Sequence, residues 1–559
     1  MTSRTLPAYE ALALDIKAMG VEVAFGLLSD DTAMLVAMLD SAGVRFYNAR
    51  HESNAVGMAE GYAAASGKLG VAILGRGPAT ANGMHGITYA QRSASGVLVI
   101  CGEASTRTAH NGFGPDNKAF DGVAALRAAG YQPFIGTSAA SVRQTLADAA
   151  NAARRGSAVL LLPVDVQGTP VDWEHSSPKP TQSVAITPLE PRAAAIAAAA
   201  HLLQTSRRPL ILAGRGAFKA DARDALIALA DHIGAALTTT FKAKDLFRGH
   251  PMDCGMVGSF SHAGGRRLIQ QADCILVFGA GLNQRTSAKG TSLPMDVPLI
   301  QVDPVRSHIG RWLHADVAIV GDAKLTAESL LQALPSRSAT QKEFHSPALR
   351  DWLDTFRLRD DFKEVHTTRT VDTRSVGLAL DRFMPRDRNL VYDAGNFLMV
   401  APYISVPGPE CMKQAGDFSS IGMGLPVAIG YALGAPQRPT LCVVGDGGLF
   451  MALSELETAA RMNLPLVVVV MNDCAYGAEV HFLKMHNMPI EVSAFPDVDL
   501  APVAEAFGFE AATVRTMEQL EAMASTLAKP DGPIFIDCKV NGALVAPFLH
   551  DGEPGQTAT

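Results

Sequence analysis

Short apolar runs alternate with stretches of helical periodicity along most of the chain. Val23 to Gly26, Val44 to Tyr47, Val71 to Leu74, Val97 to Ile100 and Ala158 to Leu162 have strand length and are rich in β-branched residues. Between them, apolar positions recur at helical spacing. That alternation predicts a mostly parallel sheet, because a strand followed by a crossover helix returns parallel to its predecessor. Pro209 to Ala213, Cys274 to Phe278 and Pro298 to Val302 predict a second such unit. Leu441 to Val444 and Leu466 to Val470, with a helical pattern between them, predict a third. Residues 168 to 190, rich in Pro, Ser and Thr without periodicity, read as a linker. Ser336 to about Thr370 is charged and connective, and the end from His550 reads as a loose tail. The expected fold class is therefore α/β: three doubly wound parallel-sheet domains, at 1–167, 191–335 and 371–545.

Composition agrees with that organisation. A chain of 559 residues is too long for one core, and 48% hydrophobic with 18% charged residues is globular composition. A net charge of −7 gives no reason to expect nucleic acid or an anionic membrane as partner. The start, MTSRTLPAYE, is polar, and no apolar run reaches the length of a membrane span, so a cytoplasmic protein is expected. Seven cysteines are scattered without Cys-x-x-Cys spacing, which argues against a zinc site or a disulfide framework.

Candidate chemistry concentrates between Leu441 and Tyr476. The first strand there ends at Gly445-Asp446-Gly447-Gly448 and the next at Asn472-Asp473. Carboxyl ends of neighbouring parallel strands open on one edge of a sheet, where doubly wound folds bind ligands, so Asp446 and Asp473 are expected to meet. The glycines let the backbone approach a ligand, and a helix starting near Leu449 turns free N–H groups toward it. Two oxygen side chains beside such a helix start suit a hard divalent cation shared with phosphates, and Mg²⁺ fits best. The alternative is an ordinary Gly-Asp-Gly turn in a βα loop.

This stretch resembles the diphosphate-binding motif of thiamine diphosphate enzymes, in which Gly-Asp-Gly is followed by a magnesium-binding Asn-Asn. The resemblance implies that Asp446 and Asp473 give side-chain oxygens to Mg²⁺ and Ala475 a backbone carbonyl; Asp473 stands where the family usually has asparagine. Further back, His51-Glu52-x-x-Ala55-x-x-Met58-Ala59-Glu60-Gly61-Tyr62-Ala63 resembles the pyrimidine-domain motif of the acetolactate synthase-like family. Asn82 matches a position lining the same cleft, and Phe418 to Gly430 resembles the segment that holds the aminopyrimidine ring. The order implied is pyrimidine-binding domain, central Rossmann-like domain, diphosphate-binding domain. The implied cofactor-binding set is Glu52, Asn82, Asn396, Ser419, Ile421, Gly445, Asp446, Gly447, Gly448, Asp473, Ala475 and Tyr476.

By the same resemblance, Glu52 bonds N1′ of the aminopyrimidine, favouring the imino tautomer that removes the thiazolium C2 proton. Standing alone, Glu52 would read as an acidic residue at a helix N-terminus. Ile421 is the candidate for the apolar prop that bends the cofactor, with plain core packing as its alternative. The ylide then adds to a carbonyl, and loss of a fragment leaves an enamine. Glu479 follows the metal motif closely enough to serve in proton transfer, and His85, His110 and His481 are further acid–base candidates. The cofactor is expected to span two chains, in a homodimer or homotetramer.

The implied activity is that of a carboligase or lyase acting on 2-oxo acids, acetolactate synthase-like. The alternatives are a non-oxidative 2-oxo acid decarboxylase, of the benzoylformate or pyruvate decarboxylase kind, and a nucleotide-binding regulator without catalysis. The chain departs from acetolactate synthase in Leu27-Leu28-Ser29-Asp30-Asp31, in Arg76, in Phe120-Asp121 and at Phe134. Asp30 or Asp31 is expected to cap a helix, and Arg76 either binds a substrate carboxylate or pairs with one of these aspartates. FAD is a further option, because Phe278-Gly279-x-Gly281-x-x-x-Arg285 and Gly214-Arg215-Gly216 resemble the non-redox flavin site of the synthases.

Overall fold

The computed structural model describes residues 4–107, 116–174, 177–178, 187–335 and 342–552. Three six-stranded sheets, each wholly parallel, carry the chain. The first has the spatial order Arg45–Asn48, Val23–Gly26, Gly70–Leu74, Val97–Glu103, Ser157–Pro163, Phe134–Ile135. The central sheet runs Asp253–Met256, Ala236–Thr239, Pro209–Ala213, Cys274–Phe278, Leu299–Asp303, Val317–Val320. The third runs Met412–Gln414, Asn389–Tyr392, Thr440–Gly445, Leu466–Asn472, Ile534–Lys539, Glu510–Val514. This is the expected fold class.

Central strands covered by helices on both faces need apolar side chains at every position, and Leu466–Asn472 is buried throughout. Edge strands are shorter or more mixed, which hid several of them from periodicity: Met412–Gln414 has three residues and Asp253–Met256 alternates. The stretch read as a linker also contains a strand. Pro170–Asp172 pairs antiparallel with Thr5–Pro7 and ties the first domain's two ends together.

The first and third domains share one apolar core. The helices Glu52–Ser66 and Gly424–Gly434 cross so closely that a methyl on Gly61 would stand 2.0 Å from the Val427 carbonyl oxygen, and one on Gly430 1.8 Å from that of Met58. Only hydrogen fits at either place. Beside this contact Glu60, fully buried, accepts from Lys413 (2.5 Å), Ser95 (2.5 Å) and Tyr89 (3.1 Å), so the carboxylate is both paired and hydrogen-bonded. The helix that begins at Glu52 is thus fixed against the third domain of its own chain.

Candidate active site

Asp446 directly follows one strand and Asp473 its neighbour, and the ladder between the strands runs in register from Thr440 with Leu466 to Gly445 with Met471. The two carboxyl groups come within hydrogen-bonding reach of each other, as the strand-end argument expects. The helix starts at Asp446 rather than near Leu449, and it is short. It covers Asp446–Met451, stops at Ala452, and the crossover resumes as Glu455–Arg461. Glu455 sits at that break with its carboxylate buried, accepting from the Arg50 amide (2.9 Å) and Asn54 (3.0 Å), which fastens the crossover to the first domain.

Cys474 takes a left-handed backbone (φ 57°), so the chain turns sharply after Asp473, and the Ala475 amide is directed at both carboxyl groups. Burial pushes the Asp446 carboxyl above the usual carboxylate range; burial, and then the charge of Asp446, push Asp473 up as well. No lysine, arginine or histidine forms an ion pair with either among the described residues. Two like charges held together, Asp446 buried and Asp473 partly buried, are costly without a cation, and a divalent ion removes that cost. Two carboxylates with a backbone carbonyl is the donor set that Mg²⁺ takes alongside phosphate oxygens and water, so the residues fit it. Among the described residues no cluster of three or more His, Cys, Asp and Glu offers a richer site.

A pH effect follows. A folded-state value raised above the unfolded one gives stability that is complete below the ordinary carboxylate pKa and is lost as pH rises through the raised value. In metal-free protein, Asp473→Asn is therefore expected to raise the melting temperature more at about pH 8 than at about pH 4, while cofactor binding persists. Equal gains at the two pH values in a thermal melt would contradict the like-charge account.

The pocket around this pair is lined by Gly445, Asp446, Gly447, Gly448, Asp473, Ala475, Tyr476, Ile421, Asn396 and Glu479, all of them sequence candidates. Tyr476 stands beside Gly447, where an added methyl would lie 2.5 Å from its ring. Asn396 lines the pocket with its amide already used: Nδ2 donates to the Leu544 carbonyl (2.8 Å) and Oδ1 accepts from the Ala546 amide (2.9 Å). Ser419, left-handed (φ 52°) and exposed, is not among the lining residues. Sequence reasoning missed Thr373, Phe397, Val540 and Asn541, which also line it. It missed Asp393 too, just beyond the strand Asn389–Tyr392, where the strand-end rule already used for Asp446 would have found it.

Glu52 lies elsewhere in the chain. It is the first residue of its helix, buried, and accepts from Asn82 Nδ2 at 3.3 Å, but it is not among the residues lining the Asp446 pocket. His85 is one turn beyond Asn82 on the helix Pro78–Ser93. His481 is buried with Nε2 on the Leu544 carbonyl (3.0 Å), a structural contact. His110 lies outside the described residues.

Neither Asp30 nor Asp31 caps a helix, contrary to expectation. Thr32 holds the N-cap position of Ala33–Ser41, without a side-chain bond. Instead Asp31 accepts from Arg76 (3.0 Å) and Lys118 (3.0 Å), Lys118 also pairs with Asp30, and Arg76 reaches Asp116 (2.5 Å). Of the two readings of Arg76 the pairing one holds. Asp121 caps the helix Gly122–Ala128 through the Ala124 amide (2.9 Å), and Phe134 lies in the edge strand Phe134–Ile135.

The flavin expectation meets a different arrangement. Arg285 lies over the Phe548 ring (4.8 Å) and donates to the Phe548 carbonyl (3.2 Å) and Asp551 (3.4 Å). The turn at Gly214 and Gly216 packs onto Gly279, so a methyl on Gly216 would stand 2.7 Å from the Gly279 Cα. These groups make contacts inside the chain, with the Arg285 side chain still more than half exposed.

Among the described residues no helix is long and apolar enough to cross a membrane. Residues 7–126, 196–330 and 393–538 match the family models of the thiamine pyrophosphate enzyme N-terminal TPP-binding domain, central domain and C-terminal TPP-binding domain. A probable 2-ketoarginine decarboxylase of Pseudomonas aeruginosa is 30% identical over 93% of this chain and 91% of its own length. The sulfoacetaldehyde acetyltransferase of Rhodobacter capsulatus is 27% identical over 97% and 95%. A probable acetolactate synthase large subunit of Methanococcus aeolicus is 24% identical over 97% and 93%. With three family domains matched in order and the acidic pair meeting at the strand ends, the chain belongs to the thiamine pyrophosphate enzymes and is an enzyme dependent on that cofactor, thiamine diphosphate.

Proposed function

We propose that this protein is a thiamine diphosphate- and Mg²⁺-dependent lyase or carboligase of the cytoplasm, acting on a 2-oxo acid or related carbonyl at sites shared between two chains of a homodimer or homotetramer. The closely paired Asp446 and Asp473, with no lysine, arginine or histidine bonded to either among the described residues, carry this reading. Those side chains and the Ala475 carbonyl would hold Mg²⁺, and the Gly447 and Gly448 amides would face the diphosphate. When bound, thiamine diphosphate supplies the carbon nucleophile and the electron sink. Glu52 holds a proton at N1′ of the aminopyrimidine, and the Asn82 amide orients its carboxyl group. Ile421 would be the apolar side chain against which the cofactor rests, and Phe397, Met471 and Val540 keep the lining apolar. Glu479 is the candidate donor of a proton to the product.

The shared site rests on Glu52 standing outside the Asp446 pocket while its helix is locked to its own chain's third domain, so a second chain is the source of the missing half. Seven free cysteines, six of them buried, accord with a reducing compartment. No role is assigned to flavin, and the purified protein is expected to be colourless.

Non-oxidative decarboxylation is the second reading. It is favoured by Glu479 in the pocket, a carboxyl group placed where a proton for the released aldehyde is needed. Incubation with thiamine diphosphate, Mg²⁺ and a panel of 2-oxo acids, with and without aldehydes, tests both. Incorporation of the aldehyde into product supports ligation; CO₂ and a free aldehyde alone support decarboxylation. Absence of turnover with every 2-oxo acid of the panel would contradict both readings.

A further inference from the structure

Asp393 stands where the two working loops of the pocket meet. Its strand, Asn389–Tyr392, lies between Met412–Gln414 and Thr440–Gly445 in the sheet. The Asp393 amide donates to the Val443 carbonyl (3.0 Å), and the Ala415 amide donates to the Tyr392 carbonyl (2.7 Å). The loop carrying Ile421 leaves from one side of this residue and the Gly445–Gly448 turn from the other.

The side chain is fully buried and takes no cation as partner among the described residues. Its acceptors are filled by backbone amides: Ala394 at 2.8 Å, Gly422 at 2.8 Å, and Gly424. Gly422, next to Ile421, is left-handed (φ 87°), so that amide bond fixes a turn no ordinary residue adopts without strain. The carboxyl group also fills the space between two glycines. A methyl on Gly448 would lie 2.6 Å from Asp393 Oδ2, and one on Gly424 2.5 Å from Asp393 Cβ. A charge held in the interior by amides alone is costly, and burial pushes this carboxyl up to about 7.

We propose that Asp393 is a positioning residue: through the Gly422 and Gly424 amides it sets the height of Ile421 against the Gly445–Gly448 turn, and so fixes the gap in which the two ends of the cofactor are held. This rests on the reading of the pocket given above, but its first readout does not. In the cofactor-free protein, Asp393→Asn replaces one acceptor oxygen by an NH₂ group that faces an amide N–H. Hydrogen exchange is expected to accelerate across residues 419–424 and to stay unchanged in Leu466–Asn472. Gly424→Ala, which pushes on Asp393 from the far side, is expected to reproduce the acceleration and serves if the first variant does not fold.

In the loaded enzyme, Asp393→Asn is expected to lower kcat by about a hundredfold with the cofactor concentration for half-saturation changed much less, the pattern of misplacement rather than lost binding. A general structural defect would instead raise exchange in the central strands as well. Unaltered exchange at 419–424 in both variants would overturn the proposal. Accelerated exchange together with wild-type protein that thiamine diphosphate neither stabilises nor activates would keep the contact and overturn the reading of the pocket.

Discussion

Asp446→Ala is expected to abolish Mg²⁺-dependent turnover, a loss on the order of a thousandfold or more, together with the thermal stabilisation that thiamine diphosphate gives. The residue supplies one of the two paired aspartates in the pocket and is the first residue of its short helix, so on the proposed reading alanine removes a metal oxygen at the point where the diphosphate turn begins. The metal-free fold should not suffer. Asp446 is buried beside another carboxyl group, and its removal relieves a repulsion. The contrast with Asp473→Asn is informative, because asparagine keeps an oxygen for the metal while alanine keeps none. Kinetics against Mg²⁺ concentration and thermal melts with and without cofactor decide the matter; undiminished Mg²⁺-dependent activity in Asp446→Ala would remove the metal assignment.

Glu52→Gln is expected to lower turnover by about two to four orders of magnitude with the fold and the cofactor-dependent thermal shift retained. Glutamine keeps the Asn82 contact but cannot hold the proton. Near-normal activity would refute the role. The same variant tests whether sites are shared. Mixing Glu52→Gln chains with Asp446→Ala chains should restore about a quarter of wild-type activity, since random pairing makes half the dimers mixed and each mixed dimer holds one intact site of two. A site built within one chain would give no recovery.

Much of the site was legible because its residues sit where local pattern alone dictates position. Asp446 and Asp473 each follow an apolar run long enough to be a buried strand, and a right-handed parallel crossover leaves little freedom in where such ends meet. Glu52 and Asn82 were singled out by resemblance alone, and the hydrogen bond between them is a contact that only the folded chain shows. Asp393 was not, although it obeys the same strand-end rule, because its strand has four residues and was passed over. The pairing of Arg76 and the commitment of Arg285 to Phe548 and Asp551 could not be read at all. Each partner is set by how distant segments fold back, with Asp551 lying far down the chain from Arg285.

The sequence by itself determined three parallel sheets and the meeting of two acidic side chains at a strand edge, since period, strand length and crossover handedness are local properties of the chain. Only the tertiary structure decided that the Glu52 helix packs on the third domain of its own chain, that Arg76 pairs with Asp31 and Asp116, and that one buried carboxyl group spans two loops. Those outcomes depend on the close approach of helices at Gly61 and Gly430 and on pairing between charges far apart in the chain, which become definite only when the domains pack.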